Sequence, residues 1–205
     1  MVNVKDTSMS PEECRYFLQH YAFGSLITAD LQSSHIPFFF SAPGVIETHL
    51  ARNNPQLAAL DRQPCLLSVL GPHAFISTDH YLSAPAVPTW NYASVSVKGV
   101  STIMTHEELG LSLDKMLAVF QPGLMHDKQR LPDDYKHKLM HGITGINIQV
   151  SEINGRLKLG QHRAPAEQLN VFQQLRQQGG PYADYAQFAQ DWLAEFRPTI
   201  LNGKI

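Results

Sequence analysis

Tyr92-Ala93-Ser94-Val95-Ser96-Val97-Lys98-Gly99-Val100 changes character at every second residue. Successive side chains of a β-strand point to opposite faces, so this spacing predicts a long, half-buried strand. Similar texture extends to both sides. Gly24–Ala29 reads as a short strand ending at Asp30. Ser34–Phe40 reads as another, with Pro37 marking an edge or bulge because proline cannot donate to a ladder. Val45–Leu50 follows a Pro43-Gly44 turn. Pro64–Leu70 is a near-continuous apolar run, expected to be buried and to break at Gly71-Pro72 before His73–Ser77. Ile143–Leu159 resumes the pattern, and its Asn154-Gly155 pair predicts a hairpin turn.

Helical signals lie at the two ends and in one insertion. Ser10-Pro11-Glu12-Glu13 is a capping box with proline at the first helical position, opening a helix over 10–21. Thr105-His106-Glu107-Glu108 opens a second helix, and residues 132–141 form a third, closed by Gly142. The tail carries two helical segments divided at Gly179-Gly180-Pro181. Strands in the middle with helices outside predict an α+β chain built on an antiparallel sheet or barrel. The expected organisation is one domain over 1–165, with a helical insertion near 105–141, and a helical extension over 166–205 packing on it or on a partner subunit.

The chain has 205 residues, enough to bury a core without disulfides or a structural metal. Sixteen basic and eighteen acidic residues leave a formal charge of −2, without the basic excess typical of nucleic-acid modules. Cys14 and Cys65 lie far apart and match no pairing motif, which predicts reduced thiols and a cytoplasmic setting. The first residues lack the basic start and apolar run of a signal peptide. No apolar run approaches the ~20 residues of a membrane span.

Three segments could carry chemistry. His49-Leu50-Ala51-Arg52-Asn53-Asn54-Pro55 brings a histidine and an arginine to the mouth of a short helix expected to run through Leu60. Helix N-termini attract anions and the guanidinium fork matches phosphate oxygens, although an exposed arginine beside an ordinary cap would look the same. Gly71–Ser77 and Val87-Pro88-Thr89-Trp90-Asn91-Tyr92 supply aromatic faces suited to a heteroaromatic ring, a dimer interface or plain core packing. Lys158–Arg163 places cations and Gln161 at a strand end, whether toward a ligand or toward solvent.

Other patterns exclude functions. His137 and His141 have the spacing of helical metal ligands, but no glutamate stands between them and no third ligand is evident. With Lys136 and Lys138 they read as cations complementing a helix C-terminus. No nucleophile elbow, Walker loop or dinucleotide-binding glycine pattern occurs. Residues 105–141 have a suitable length but lack a clear turn glycine between two well-patterned helices, so no convincing helix-turn-helix is read there.

Taken together, the order of these blocks resembles the PaiB-like family of FMN-binding negative transcriptional regulators. The likeness rests on His35-Ile36-Pro37-Phe38, His49–Pro55, Gly71–Ser77, Val87–Tyr92, Gly142–Gly145, Glu152-Ile153 and Lys158–Arg163, and spans residues 10–165. It implies the split β-barrel of pyridoxamine-phosphate-oxidase-like flavoproteins, a homodimer with FMN at the subunit interface. The implied cofactor contacts are Thr48, His49, Arg52 and Asn53 at the phosphate and His35, Ile36 and Pro37 along the flavin edge. Trp90, Gln161 and Arg163 would close the site or approach from the partner subunit. Gly160 and His162 replace the family's usual Ser and Asn, and Ser77-Thr78-Asp79-His80-Tyr81 departs from its Ser-Pro-Ser-Trp-Tyr. Both changes fall at the expected rim.

The resemblance implies regulation, for which the charge and the missing recognition helix favour an indirect route through flavin or redox sensing over direct DNA binding. A flavin-dependent oxidoreductase is the alternative, with His73, His80 and Tyr81 as candidate proton donors. A haem-handling protein using His162 or His73 ranks third.

Overall fold

The computed structural model describes residues 7–201. Its strands are β1 (Phe23–Thr28), β2 (Ser33–Pro37), β3 (Phe39–Ala42), β4 (Val45–Ala51), β5 (Gln63–Ile76), β6 (Thr89–Ile103) and β7 (Ile143–Lys158). Its α-helices are α1 (Pro11–His20), α2 (His106–Phe120), α3 (Asp133–Met140), α4 (Pro165–Gln178), α5 (Gly180–Phe196) and α6 (Pro198–Leu201). The strands form one sheet in the order β2-β1-β5-β6-β7-β4-β3. This is the split β-barrel that the sequence predicts.

The residues divide into two compact units, and strands β5, β6 and β7 pass through both. The first unit comprises Arg15–Val69 and Ser96–Ile153. Here β2 pairs antiparallel with β1, and β3 pairs antiparallel with β4. Only Phe38 separates β2 from β3, so these two consecutive strands stand at opposite ends of the sheet order. Pro37 is the last residue of β2, a strand at the end of the sheet order, where a proline with no N–H to donate is tolerated. Phe38 is fully buried, and Leu26, Ile36, Ile46, Ile146 and Ile148 fill the interior with it. The alternation in β6 has the outcome its spacing predicts: Ala93, Val95 and Val97 are buried. The insertion is helical, and Thr105 and Glu108 close a reciprocal capping box on α2, with N···O distances of 2.7 and 3.2 Å.

Among the described residues, the second unit comprises those up to Cys14, Leu70–Val95 and those from Asn154 to Leu201. Its buried side chains include Phe172, Leu175, Tyr185 and Leu193 of α4 and α5. Glu13 fastens the tail. Its carboxylate accepts from Arg197 Nε at 2.9 Å, Trp192 Nε1 at 3.1 Å and the Ser10 N–H at 2.7 Å. Burial pushes this carboxyl up, but the bonds and charge of Arg197, with Ser10 and Trp192, outweigh it and hold it below the usual range. The tail divides where expected: Gly179 and Gly180 take φ of +74° and +53°, which side chains resist.

Three local expectations are corrected. Asn154-Gly155 makes no hairpin, because β7 runs through it. Gly155 is needed for close approach instead: a Cβ there would stand 2.5 Å from Cys14 Sγ and 2.6 Å from Met9 Cβ, and Met9 N–H donates to the Gly155 carbonyl. Gly71-Pro72 does not end β5. Buried positions run Cys65, Leu67, Val69, Gly71 and then Ala74, Ile76, so the inward phase shifts by one residue, as an inserted bulge residue does. The helix expected through Leu60 is a 3-10 turn over Pro55–Ala59.

Candidate functional site

In the first unit the sequence-predicted residues of two strands are brought together. The Thr48 hydroxyl, on β4, donates to the Pro37 carbonyl at 2.6 Å. Six residues on, Asn54 Nδ2 donates to Ser34 Oγ at 2.9 Å. These two bonds hold β2, with His35-Ile36-Pro37, against the end of β4 and the turn carrying Arg52 and Asn53. Because β2 ends the sheet order, one side of its backbone faces β1 and the other has no ladder partner. Ile36 is buried and offers only backbone, whereas His35 is exposed, its ring centre 6.2 Å from that of Phe23.

His49 is half-buried and its Nδ1 has no hydrogen-bond partner. Burial lowers its pKa, keeping the imidazole neutral further into acid than usual. Arg52 and Asn53 are exposed. The guanidinium of Arg52 meets no carboxylate among the described residues.

The anion argument from a helix N-terminus is corrected here. The N–H groups of Arg52, Asn54 and Leu57 donate to the carbonyls of Gly142, Ala51 and Asn54, and that of Gln56 donates to the Asn54 side chain. A five-residue 3-10 turn with its donors engaged has little dipole to offer. Any attraction for an anion comes from the guanidinium. The sequence reading also missed Gln56, whose buried amide reaches the carbonyls of Leu26 and Gln32 at 2.9 and 3.1 Å and fastens the turn to β1 and the segment after it. A glutamine after a proline carries no signal of that role.

The other expected residues lie in the second unit. Trp90 is 49% exposed, and its Nε1–H donates to His73 Nδ1 at 3.2 Å. That bond leaves the proton of a neutral His73 ring on Nε2. Phe75 joins them, its ring centre 6.0 Å from that of Trp90. Gln161 is buried; its Oε1 accepts from Leu159 N–H at 2.8 Å and its Nε2 donates to the Leu157 carbonyl at 2.7 Å. It thereby builds the turn after β7. The Arg163 guanidinium lies 4.0 Å above the Tyr81 ring and pairs with Glu167 at 3.4 Å.

His80 is no free proton donor. It is buried, its Nδ1 accepts from Ser77 N–H at 3.3 Å, and its Nε2 meets the Gln178 amide at 2.9 Å. His162 is exposed. His137 and His141 do acquire a neighbour that the sequence spacing hid. His106 at the start of α2 lies with ring centres 5.2 and 5.3 Å from theirs. Among the described residues no group of three His, Cys, Asp or Glu side chains is arranged to hold a metal ion. Nor is any described helix long and apolar enough to cross a membrane. Both cysteines are free and buried, and burial raises both thiols, which removes them as nucleophiles.

Residues 3–152 match the family described as "Putative FMN-binding domain". The chain is 32% identical over 194 residues to protease synthase and sporulation protein PAI 2 of Bacillus subtilis, covering 89% of this chain and 92% of that one. It is 25% identical over 203 residues to an uncharacterised protein of Aspergillus fumigatus, covering 73% of this chain and 77% of that one. Among solved structures, the FAD and haem binding protein of Mycobacterium smegmatis superimposes with a TM-score of 0.59 at 14% identity, over 75% of this chain and 74% of that one. The flavocytochrome Anf3 of Azotobacter vinelandii gives 0.59 at 13% identity, over 73% and 67%. At these identities the structural likeness speaks for the fold.

Proposed function

The chain belongs to the family of FMN-binding domains, with FMN as its cofactor, and from that premise we propose that FMN is seated on β2 and the end of β4 and that the protein regulates indirectly, by sensing flavin or redox state. The observation that carries the seat is the pair of bonds Thr48–Pro37 and Asn54–Ser34, which gathers His35, Pro37, His49, Arg52 and Asn53 onto one patch. The residues present fit the group. The orphaned, half-buried His49 Nδ1 awaits a polar partner, the Arg52 guanidinium suits a phosphate, and the edge of β2 offers backbone N–H and C=O to a flavin's polar rim. When bound, FMN supplies the electron and hydride chemistry, and the protein supplies position and electrostatics.

The exposed trio His73, Phe75 and Trp90 supports a homodimer in which this aromatic face meets the partner subunit. Gln161 and Arg163 then support the turn after β7 rather than contact FMN. Indirect regulation is favoured by the formal charge of −2 and by the connection between α2 and α3, which runs over residues 121–132 and is far longer than a helix-turn-helix turn.

The test is the visible absorption spectrum of the purified protein before and after FMN addition, with gel filtration of the complex. A stoichiometric flavin spectrum on a dimer supports the reading; no spectral change on FMN addition to a flavin-free protein refutes it. Salt-dependent DNA binding would refute the indirect route.

A second reading, an FMN-dependent oxidoreductase, draws on His73. With Nδ1 accepting from Trp90, its neutral ring keeps an N–H on Nε2 that could donate a hydrogen bond to charge developing on a substrate. Failure of NADH and NADPH to bleach bound flavin would count against it.

A further inference from the structure

Within the second unit, a small cavity of about 10 Å³ is walled by Tyr81, Asn91, Gly160, Arg163, Gln168 and Phe172, among others. Three of its lining residues each bury a polar atom without a partner: Asn91 Oδ1, Arg163 Nε and Gln168 Oε1. Asn91 is 4% exposed and Gln168 2%. The neighbouring bonds explain why these atoms are left over. Gln168 Nε2 donates to the Arg163 carbonyl at 2.8 Å, which fixes the amide and turns Oε1 away from that carbonyl. Arg163 gives Nη1 to Glu167 and its face to Tyr81, which leaves Nε–H.

We propose that this cavity is the seat of one structural water molecule that joins the start of β6, beside Trp90, to the tail helix α4. The space is at the lower limit for a single water, which takes roughly 10–15 Å³ and typically makes about three hydrogen bonds. The chemistry selects water among small occupants. Two carbonyl oxygens require two donated protons, and one Nε–H requires an acceptor. Water meets all three demands at once. A halide would face two carbonyl oxygens, and a cation would face the guanidinium. Leaving three buried polar atoms unpaired would cost far more than immobilising one water. Arg163, Gln168 and the α4 wall lie beyond the segment that matches the family, so the tail acquires a structural role. It completes a polar site behind the strand that presents Trp90.

One dry arrangement competes. The Tyr185 hydroxyl lies against the Asn91 side-chain amide. Small rotations would let that hydroxyl donate to Asn91 Oδ1 and let Arg163 Nε–H donate directly to Gln168 Oε1. A crystal structure of the full chain, at a resolution that shows ordered waters, separates the two. The expected result is an omit-map peak within hydrogen-bond distance of Asn91 Oδ1, Arg163 Nε and Gln168 Oε1. Gln168→Met should lose that peak and lower the thermal midpoint by about 2–4 °C, while Gln168→Glu, which keeps an acceptor, should retain it. An empty cavity with the two direct bonds overturns the proposal, as does a peak that persists unchanged in Gln168→Met. The wild-type map decides the question even if a variant fails to fold.

Discussion

Two strands of this protein end alike. β4 runs into His49-Leu50-Ala51-Arg52 and β7 into Gln161-His162-Arg163, and a helical turn follows each. In sequence both read as cationic strand ends that could meet a ligand. In the structure they differ. Arg52 stands exposed with no carboxylate against it among the described residues, whereas Arg163 is drawn onto Tyr81 and Glu167 and its neighbour Gln161 folds back on its own strand. Residue type does not separate an arginine left exposed from one held by its surroundings. The difference is made by what the rest of the chain brings to it. α4 supplies Glu167 and Gln168 to Arg163, and nothing described supplies an anion to Arg52.

The comparison can be broken by showing that polar groups of the second unit govern affinity, or that those of the β2–β4 patch govern stability. The largest effect is expected at Glu13. Glu13→Ala leaves Arg197 and Trp192 Nε1 without their buried acceptor and should cost about 3–5 kcal/mol of unfolding free energy in a denaturant titration. FMN affinity of the folded fraction should be unchanged. Gln161→Leu strands the Leu159 N–H and the Leu157 carbonyl and should cost about 1–3 kcal/mol. If it instead abolished FMN binding at full stability, Gln161 would be a cofactor contact. Gly155→Val forces a side chain into Met9 and Cys14 and should cost about 1–3 kcal/mol, read from the same titration.

Smaller effects follow pH, with opposite origins in the two regions. The Glu13 carboxyl is held below its unfolded value of about 4.3. Its contribution is therefore present above that pH and is lost as the pH falls through the lowered folded value. His49 is also lowered, by burial, so between its folded value and about 6.5 the unfolded chain binds the extra proton and stability declines as the pH falls. A chemical-denaturation series across pH should show the His49 decline first and the Glu13 decline further into acid. Glu13→Gln should remove the second, and His49→Gln the first.

Much of the fold was legible in the sequence because its signals are local. The alternation in β6, the capping boxes at Ser10 and Thr105 and the glycine pair at 179–180 each act over a few residues, and each appears as read. The misreadings share one cause. Gly155 looked like a turn residue because its use, admitting Met9 and Cys14, depends on residues far away in the chain. Gly71-Pro72 looked like a stop, yet β5 runs on through it with its inward phase shifted by one residue. The site followed the same division. The β2 and β4 residues were legible as blocks, but the bonds that gather them, from Thr48 and Asn54, are long-range. Likewise, nothing in Trp90's own segment names His73 as its partner.

The central claim is that FMN is held by the β2–β4 patch through Arg52, and titration of FMN into wild type and Arg52→Ala, followed by flavin fluorescence, tests it most directly. Loss of one charge-assisted contact of about 1.5–3 kcal/mol should weaken binding by roughly ten-fold to a hundred-fold while the unfolding transition stays in place. Equal affinity in the two proteins would contradict it.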